Sequence, residues 1–482
     1  MTSHVRAGSR TPVTEPGISP PPPRRWLMLA LLSAAQFMLI LDITVVNIAL
    51  PDIGSDLGLQ RDALTWVVTA YTLMFGGLML VGGRAADLFG ARRVLLAGLT
   101  VFTAASLAAG LAPNAAVLVG GRAFQGVGAA LISPAALAIV TTTFHGADRH
   151  RALGVWAALG GTGSAVGVLL GGLLTAGPGW QWVFFINVPV GVAVLAGLSA
   201  IAPASQPAVR GRRIDLPGAV LVTAATGALI YALITAGDVG WVAAPTLAAL
   251  GAAGLLYAGF AVVQRTVRAP LIDLRVLLRR RVSAGAFLML VATGLLVAGF
   301  FLGSFHLQHV AGYSAAGTGL AFLPVAVATI VGAHAGGRAI GRIGARPLAT
   351  VGLLIAAAGA GTVAVWTTAP ALIVGVSVGA AGLGATFVAA TTTALAHTDP
   401  AEAGVRSGLV NTFHELGAAL GVATVSAIAA TSLAGTGTGA PATGGFTAAF
   451  AFSAAAALTA AVLAAVLVPA GRPPAGAVRH MH

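Results

Sequence analysis

Apolar residues run through this chain in long blocks, near 27–50, 64–83, 94–112, 115–140, 152–175 and 182–202, then 215–236 and 242–264, then 283–308, 317–337, 348–367, 370–395, 404–431 and 446–469. Each block is close to the roughly 20 residues that an α-helix needs to cross a hydrocarbon core of about 30 Å. Nothing in hydrocarbon can satisfy backbone N–H and C=O groups from outside, so the blocks are expected to be helices that satisfy their own. The pattern predicts an all-α integral membrane protein of about fourteen transmembrane helices. An N-terminal six-helix half over 26–202, an inserted helix pair over 215–264 and a C-terminal six-helix half over 283–470 divide the chain. A polar, Pro-rich segment at 1–25 ends in Pro20-Pro21-Pro22-Pro23-Arg24-Arg25. It lacks the short apolar core and small-residue site of a cleaved signal, and reads as a disordered cytoplasmic tail. A cytoplasmic loop is expected over 265–282 and a second cytoplasmic tail over 471–482.

Composition agrees with lipid as the solvent: 57% of the 482 residues are hydrophobic and 8% are charged, against roughly a quarter charged in soluble domains. The net charge of +13 comes from Arg alone, since no Lys occurs. The Arg residues neither line a groove nor alternate with stacking aromatics, so nucleic acid is not an expected partner. They sit instead in alternate loops: Arg24, Arg25, Arg92, Arg93, Arg149, Arg151, Arg210, Arg212, Arg213, Arg265, Arg268, Arg275, Arg279, Arg280, Arg281, Arg338, Arg342, Arg346, Arg472 and Arg479 on one side, and only Arg61 on the other. Cytoplasmic loops retain positive residues, which puts both termini in the cytoplasm. The absence of Cys excludes disulfides, thiolate metal sites and cysteine nucleophiles. No His or carboxylate cluster has metal-ligand spacing, so no metal is expected.

The chain repeats itself: Gly82-Gly83-Arg84-Ala85-Ala86-Asp87-Leu88-Phe89-Gly90-Ala91-Arg92 aligns without a gap on Gly336-Gly337-Arg338-Ala339-Ile340-Gly341-Arg342-Ile343-Gly344-Ala345-Arg346. Both copies lie where the second helix of a six-helix block reaches the cytoplasm, and paired halves around a central site are the architecture of secondary transporters. Asp42 stands midway along an apolar helix, where a carboxylate costs about 2.5–3.5 kcal/mol on insertion scales. Low dielectric disfavours its charged form, so it can hold a proton in one conformation and release it in another. The structural alternative is a carboxyl that caps backbone or pairs with Asn47. In the fourth block, Arg122 and Gln125 follow Gly120-Gly121. A guanidinium there must face the bundle interior and find acceptors, either as a proton-transfer partner or as a structural hydrogen-bond hub.

The segment Leu41-Asp42-Ile43-Thr44-Val45-Val46-Asn47-Ile48-Ala49-Leu50-Pro51 resembles the first helix of the fourteen-span drug:proton antiporters of the major facilitator superfamily, the EmrB/QacA type, and the resemblance extends over nearly the whole chain. It implies the major facilitator fold. Gly83 to Arg93 resembles the superfamily's loop between helices two and three, and implies a conformational latch built from Gly83, Asp87, Gly90, Arg92 and Arg93. The glycines would make a tight turn, and the Arg residues would pair with Asp87 or with helix C-termini. Gly341 in place of Asp87 implies a weaker latch in the second half. Leu118 to Gly128 resembles the fourth-helix motif, which implies that Arg122 works with Asp42 in proton coupling. Gly154, Gly163, Gly167, Gly171 and Gly172 match the antiporter motif of the fifth helix, with Val168 where relatives usually have Pro, so the usual kink is not expected; generic close packing of small residues is the other reading. Trp180, Trp182 and Phe184 to Gly191, which include Asn187, resemble the segment that follows in the fourteen-span branch. Gly404 to Gly417 resembles its thirteenth helix, with His414 and Glu415 near the cytoplasmic third as either titratable or water-exposed positions. Asn47, Gln125, Asn187, His414 and Glu415 are therefore candidate substrate or proton contacts.

An enzyme would need a nucleophile with a base or a metal, and no such constellation occurs. A phosphate-cradling loop would need Lys, which the chain lacks. Energy is expected from the proton gradient, with no cofactor. A channel would show rings of polar residues in repeated pore elements, whereas charge here is sparse and differs between the halves. The expectation is proton-coupled efflux of lipophilic, often cationic, drugs or antibiotics across the cytoplasmic membrane by a monomer. Dedicated export of one secondary metabolite, giving self-resistance, is the alternative.

Overall fold

The computed structural model describes residues 24–144, 146–202, 215–267, 270–271, 274–396, 403–433 and 444–470. The expected tails, except residues 24 and 25, and parts of the 265–282 loop lie outside the described residues. The helices are α1 (Arg25–Leu57), α2 (Arg61–Phe89), α3 (Ala91–Gly110), α4 (Ala115–Thr143), α5 (Gly146–Ala176), a short α6 (Trp182–Phe185) leading into α7 (Asn187–Ile201), α8 (Leu216–Val239) and α9 (Ala244–Thr266). A single turn α10 (Leu274–Leu277) precedes α11 (Arg280–Phe305), which ends in a π-helical turn at His306–Val310; then come α12 (Ala315–Ile343), α13 (Ala345–Val365), α14 (Ala369–Leu395), α15 (Ala403–Ile428), a short α16 (Ala430–Leu433) and α17 (Gly444–Leu467). Each expected apolar block falls on helix. Among the described residues 12 helical segments are long and apolar enough to cross a membrane. α5 and α15 are not among them, although at 31 and 26 residues they are long enough. The apolar part of α5 is Val166–Ala176.

The two halves share one packing scheme. In the first, α2 packs on α4, α3 on α4, α1 on α5, α3 on α7, and α1 on both α7 and α4. In the second, α12 packs on α14, α13 on α14, α11 on α15, α13 on α17, and α11 on both α17 and α14. Small residues carry the equivalent contacts, because they let backbones approach in the absence of a hydrophobic drive between helices. A Cβ at Gly82 would overlap the Ala130 carbonyl of α4, and one at its repeat partner Gly336 would lie 3.0 Å from Ala385 Cα of α14. The halves meet where α2 packs on α15 and α5 on α12. The inserted helices α8 and α9 pack together, and α8 covers the α2–α15 seam.

The apolar cores divide unevenly along the bundle. One cluster joins the halves: Val45 to Ile53, Leu64, Val67 and Phe184 on one side meet Phe300 to Leu307, Phe322, Val422 and Phe446 on the other, all toward the face that carries Arg61. Toward the opposite, Arg-rich face a small cluster that includes Leu78, Leu80, Val282 and Leu409 bridges the halves through the inserted helices, while the two larger cores are separate. One holds Met28 to Leu39 with Phe102 and Val140, and the other Leu288, Leu353, Ala394 and Ala460. The largest core shared by the two halves thus lies toward the Arg61 face.

Candidate functional site

Two flanks of α1 do different work. Ile40, Thr44 and Ile48, four residues apart and so on one face, meet the glycines of α5: a Cβ at Gly163 would lie 2.8 Å from Ile40 Cγ2, one at Gly167 would overlap Thr44 Oγ1, and one at Gly171 would lie 3.2 Å from Ile48 Cβ. Gly172 turns to the other half, where a Cβ would lie 2.7 Å from the Ala315 carbonyl oxygen of α12. The expected antiporter glycines therefore hold α5 against both α1 and α12, and α5 is continuous through Val168. Gly154 lies on α5, with its packing outside the described residues. The other flank of α1 carries Asp42 toward α4 and α7.

Asp42 is fully buried, as are Arg122, Gln125 and Asn187 to within 1%. Arg122 Nη1 donates to Asp42 Oδ2, Gln125 Nε2 donates to Asp42 Oδ1 at 3.0 Å, and Asn187 Nδ2 donates to the same oxygen at 2.9 Å. Every contact to Asp42 comes from a donor, which is the environment of a carboxylate ion. The guanidinium is held from its other sides as well. Its Nε donates to the Val67 carbonyl at 2.9 Å, its Nη1 donates to Gln125 Oε1 at 2.8 Å, and its carbon lies 4.4 Å from the centre of the Tyr71 ring. Gly126 makes that stacking reachable, since a Cβ there would collide with the Tyr71 carbonyl and hold α4 away from α2. Gln125 Nε2 also donates to Ser106 Oγ at 2.7 Å, which fixes the amide's orientation.

Four residues singled out from the sequence thus come together as one buried network, and its acid and base are on separate helices. Charge is balanced inside it, one carboxylate facing one guanidinium. Ser106, Tyr71 and the Val67 carbonyl were not foreseen; a serine, a tyrosine and a backbone oxygen in apolar helices carry no distinguishing signal. Asn47 is not part of the network. Its Nδ2 donates to the Ile43 carbonyl at 2.7 Å, so the alternative of an Asp42–Asn47 pair gives way to pairing of Asp42 with α4 and α7.

The latch residues are placed differently from the expectation. α2 stays helical to Phe89, so Gly83 and Asp87 lie in its last turns, and only Gly90, at φ +89°, makes the turn into α3. Asp87 is exposed and makes no ion pair among the described residues, and Arg93 is exposed. Arg92 Nη2 donates instead to the Ser199 carbonyl at the end of α7, at 2.5 Å. Its repeat partner Arg346 donates to the Val468 carbonyl just past α17, at 2.7 Å. The helix C-terminus, with its unpaired carbonyls, outcompetes Asp87 for the guanidinium.

Glu415 lies in the middle of α15 rather than near the cytoplasmic third, and it is buried to 5%. Its Oε1 is 3.2 Å from Nδ1 of His414, whose side chain is 40% exposed. The two do not touch the Asp42 network. Arg61, expected as a lone loop charge, is instead buried to 6%. It donates to Asp238 at 2.5 Å and to the Ile234 carbonyl at 2.7 Å, both on α8, and to Ser426 Oγ of α15 at 3.1 Å. It ties the first half, the inserted pair and the second half together at the Arg61 face.

The sequence model of the Major Facilitator Superfamily matches residues 32–422 and 337–481. The puromycin resistance protein pur8 of Streptomyces alboniger is 39% identical over 92% of this chain and 91% of its own length. The cephamycin export protein CmcT of Amycolatopsis lactamdurans is 37% identical over 84% of this chain and 85% of its own. The multidrug resistance protein Stp of Mycobacterium tuberculosis is 35% identical over 83% of this chain and 75% of its own. Among solved structures, the peptide transporter POT in complex with sulfate superimposes with a TM-score of 0.65 at 17% identity, covering 93% of this chain and 94% of its own. A bacterial homologue of the lysosomal transporter Spinster, inward-facing and occupied, gives 0.63 at 16% identity over 92% of this chain and 96% of its own. The paired six-helix halves, the intramembrane acid–base network and these relatives agree: the chain belongs to the Major Facilitator Superfamily, and is a multi-pass membrane transporter of small molecules rather than an enzyme.

Proposed function

We propose that this transporter exports drug-like or antibiotic molecules from the cytoplasm by alternating access, driven by the proton gradient. The observation that carries the reading is the buried Asp42–Arg122 network in an otherwise apolar bundle. Protonation of Asp42 releases Arg122, and release of Arg122 frees α4 from α1. Proton binding and helix rearrangement are then one event. Relatives named for resistance and export support the direction of transport. With about fourteen spans and the Arg-rich face in the cytoplasm, both termini are cytoplasmic. Each proton charge entering down the membrane potential supplies about 2.3 kcal/mol per 100 mV, and about 1.4 kcal/mol is a tenfold gradient of substrate. One or two protons suffice for useful efflux by a single copy of the chain, with no cofactor.

A dedicated substrate is the second reading, because two of the relatives are named for single antibiotics. The test is efflux of a preloaded lipophilic cationic dye from cells stripped of their own pumps. Efflux that a protonophore abolishes supports proton-driven multidrug export. Efflux unaffected by the protonophore would refute proton coupling, and none despite membrane expression would favour the dedicated exporter.

A further inference from the structure

α8 lies over the α2–α15 seam, and small residues bring it close to both partners. A Cβ at Gly77 of α2 would lie 2.6 Å from Thr223 Oγ1 of α8, and one at Gly237 of α8 would lie 2.8 Å from Ala427 Cα of α15. Between these points Ile230 and Ile234 of α8 pack on Leu73 of α2 and on Ala419 and Ala423 of α15. Apolar packing alone holds such a helix weakly, because lipid tails are as apolar as Ile and Leu. Each end of α8 is held instead by a buried polar contact. At the Arg61 face, Arg61 of α2 holds Asp238 and the Ile234 carbonyl, and reaches Ser426 of α15.

At the Arg-rich face the holder is Asp215, which is 4% exposed. It caps α8 by accepting from the Gly218 N–H at 2.8 Å. It also accepts from Gln264 Nε2 at the end of α9 (2.5 Å) and from the Leu271 N–H on the way to α10 (3.2 Å). These partners are 49 and 56 residues away along the chain, so one side chain gathers three separate stretches. All three partners are donors, which is the environment of a carboxylate ion, and bonds to an ionised acceptor are roughly twice as strong as neutral ones. A Cβ at Gly218 would overlap both Asp215 Oδ2 and Gln264 Nε2, so glycine is what lets the first turn of α8 meet the end of α9. The apolar cluster that bridges the halves closes around this point: Ala219, Phe260 and Leu271 lie with Leu80 of the first half and with Val282 and Leu409 of the second. A Cβ at Gly408 would lie 2.9 Å from Leu80 Cδ2, so α2 and α15 touch here.

We infer that Asp215 is a positioning residue for the transport cycle: its carboxylate clasps the inserted pair to the chain entering α11, and so holds the Arg-rich end of the α2–α15 seam shut. α8 is then a strap with one clasp at each face, Asp215 at one end and Asp238 with Arg61 at the other. Alternating access requires one end of the seam to part while the other stays closed. Weakening one clasp therefore shifts the population toward opening at that face and away from opening at the other. The inference rests on the alternating-access reading, and is independent of proton coupling and of the molecule carried.

Thiol labelling of this cysteine-free chain tests the assignment. Two single reporters are used in the purified full-length protein in lipid nanodiscs, where the reagent reaches both faces. Leu409→Cys sits in the cluster under the clasp, and Thr175→Cys lies at the end of α5 toward the Arg61 face. In the Asp215→Asn background, Leu409→Cys should react severalfold faster, because the amide turns an N–H toward a donor and the clasp loosens. Thr175→Cys should react severalfold slower in the same background. Gln264→Ala, which removes one donor and keeps the carboxylate, should produce both changes in weaker form, and decides the matter if Asp215→Asn does not fold. The opposed signs separate a clasp from a purely structural contact, whose loss would expose both reporters. Faster labelling at both sites, or an unchanged rate at Leu409→Cys, would overturn the inference. Labelling needs neither a substrate nor a proton gradient, so dye efflux, which tests the export reading, is an independent result.

Discussion

Replacing Asp42 by Asn leaves Arg122 as a buried guanidinium without a counter-charge. Its bonds to the Val67 carbonyl and Gln125 and its stacking on Tyr71 remain, but they were already present and do not compensate. Removing one member of a buried ion pair costs about 3–5 kcal/mol. The new amide can still accept one bond from Arg122, which places the expected loss near the lower end, about 3 kcal/mol, or roughly two decades in the folded-to-unfolded ratio. Removing both charges, as in Asp42→Asn with Arg122→Gln, eliminates the uncompensated ion and should recover most of that loss. Unfolding by SDS titration in mixed micelles measures both variants against wild type. Proton-driven transport in proteoliposomes should be absent from both, because neither can exchange the proton. A single variant within about 0.5 kcal/mol of wild type would refute the picture of a tightly coupled buried pair, since surface changes commonly stay within that range. So would a double variant no more stable than the single one.

Two further outcomes follow from the Arg61 face and from the α1–α5 contact. Arg61→Gln removes the contact to Asp238 that joins the first half to α8, and should favour the outward-open state; in this cysteine-free chain, a single Thr175→Cys reporter should react with an external thiol reagent severalfold faster in the Arg61→Gln background, and an unchanged rate counts against the seam as a gate. Gly167→Ala drives a methyl into Thr44 Oγ1 and should cost about 1–3 kcal/mol by overpacking, with Thr44→Ala on the same chain restoring stability; no effect in the first variant would mean that α5 stands further from α1 than described.

The helices were legible because lipid imposes one rule on every residue of a span. The site was legible only in part. Asp42, Arg122, Gln125 and Asn187 stand out as polar residues in apolar helices, yet their convergence depends on how α1, α4 and α7 pack, which no local pattern encodes. Arg61 was misread for a related reason: hydropathy counts a charge at a helix end as a loop charge, whereas Asp238, Ile234 and Ser426 close over it from two other helices. In the latch motif the close approach belongs to Gly82, and neighbouring glycines in sequence cannot be told apart until the helix face is known. Asp87 and Arg92 are near in sequence but are drawn apart by the free carbonyls at the end of α7.

Comparing the halves separates what holds the fold from what does work. The features that recur are mechanical: Gly82 and Gly336 at the close approach of the second and fourth helices, Gly90 and Gly344 at positive-φ turns, and Arg92 and Arg346 on the last carbonyls of the sixth. The features that do not recur are chemical. α11, the counterpart of α1, has no charged residue between Arg281 and its end, and α14, the counterpart of α4, has none, so the second half has no equivalent of the Asp42–Arg122 pair. Among the described residues it carries instead a single acid, Glu415, in the counterpart of a helix whose own motif is made of glycines. A paired carboxylate in one half and an acid without a counter-charge in the other make the polar chemistry of the bundle asymmetric while its packing stays symmetric.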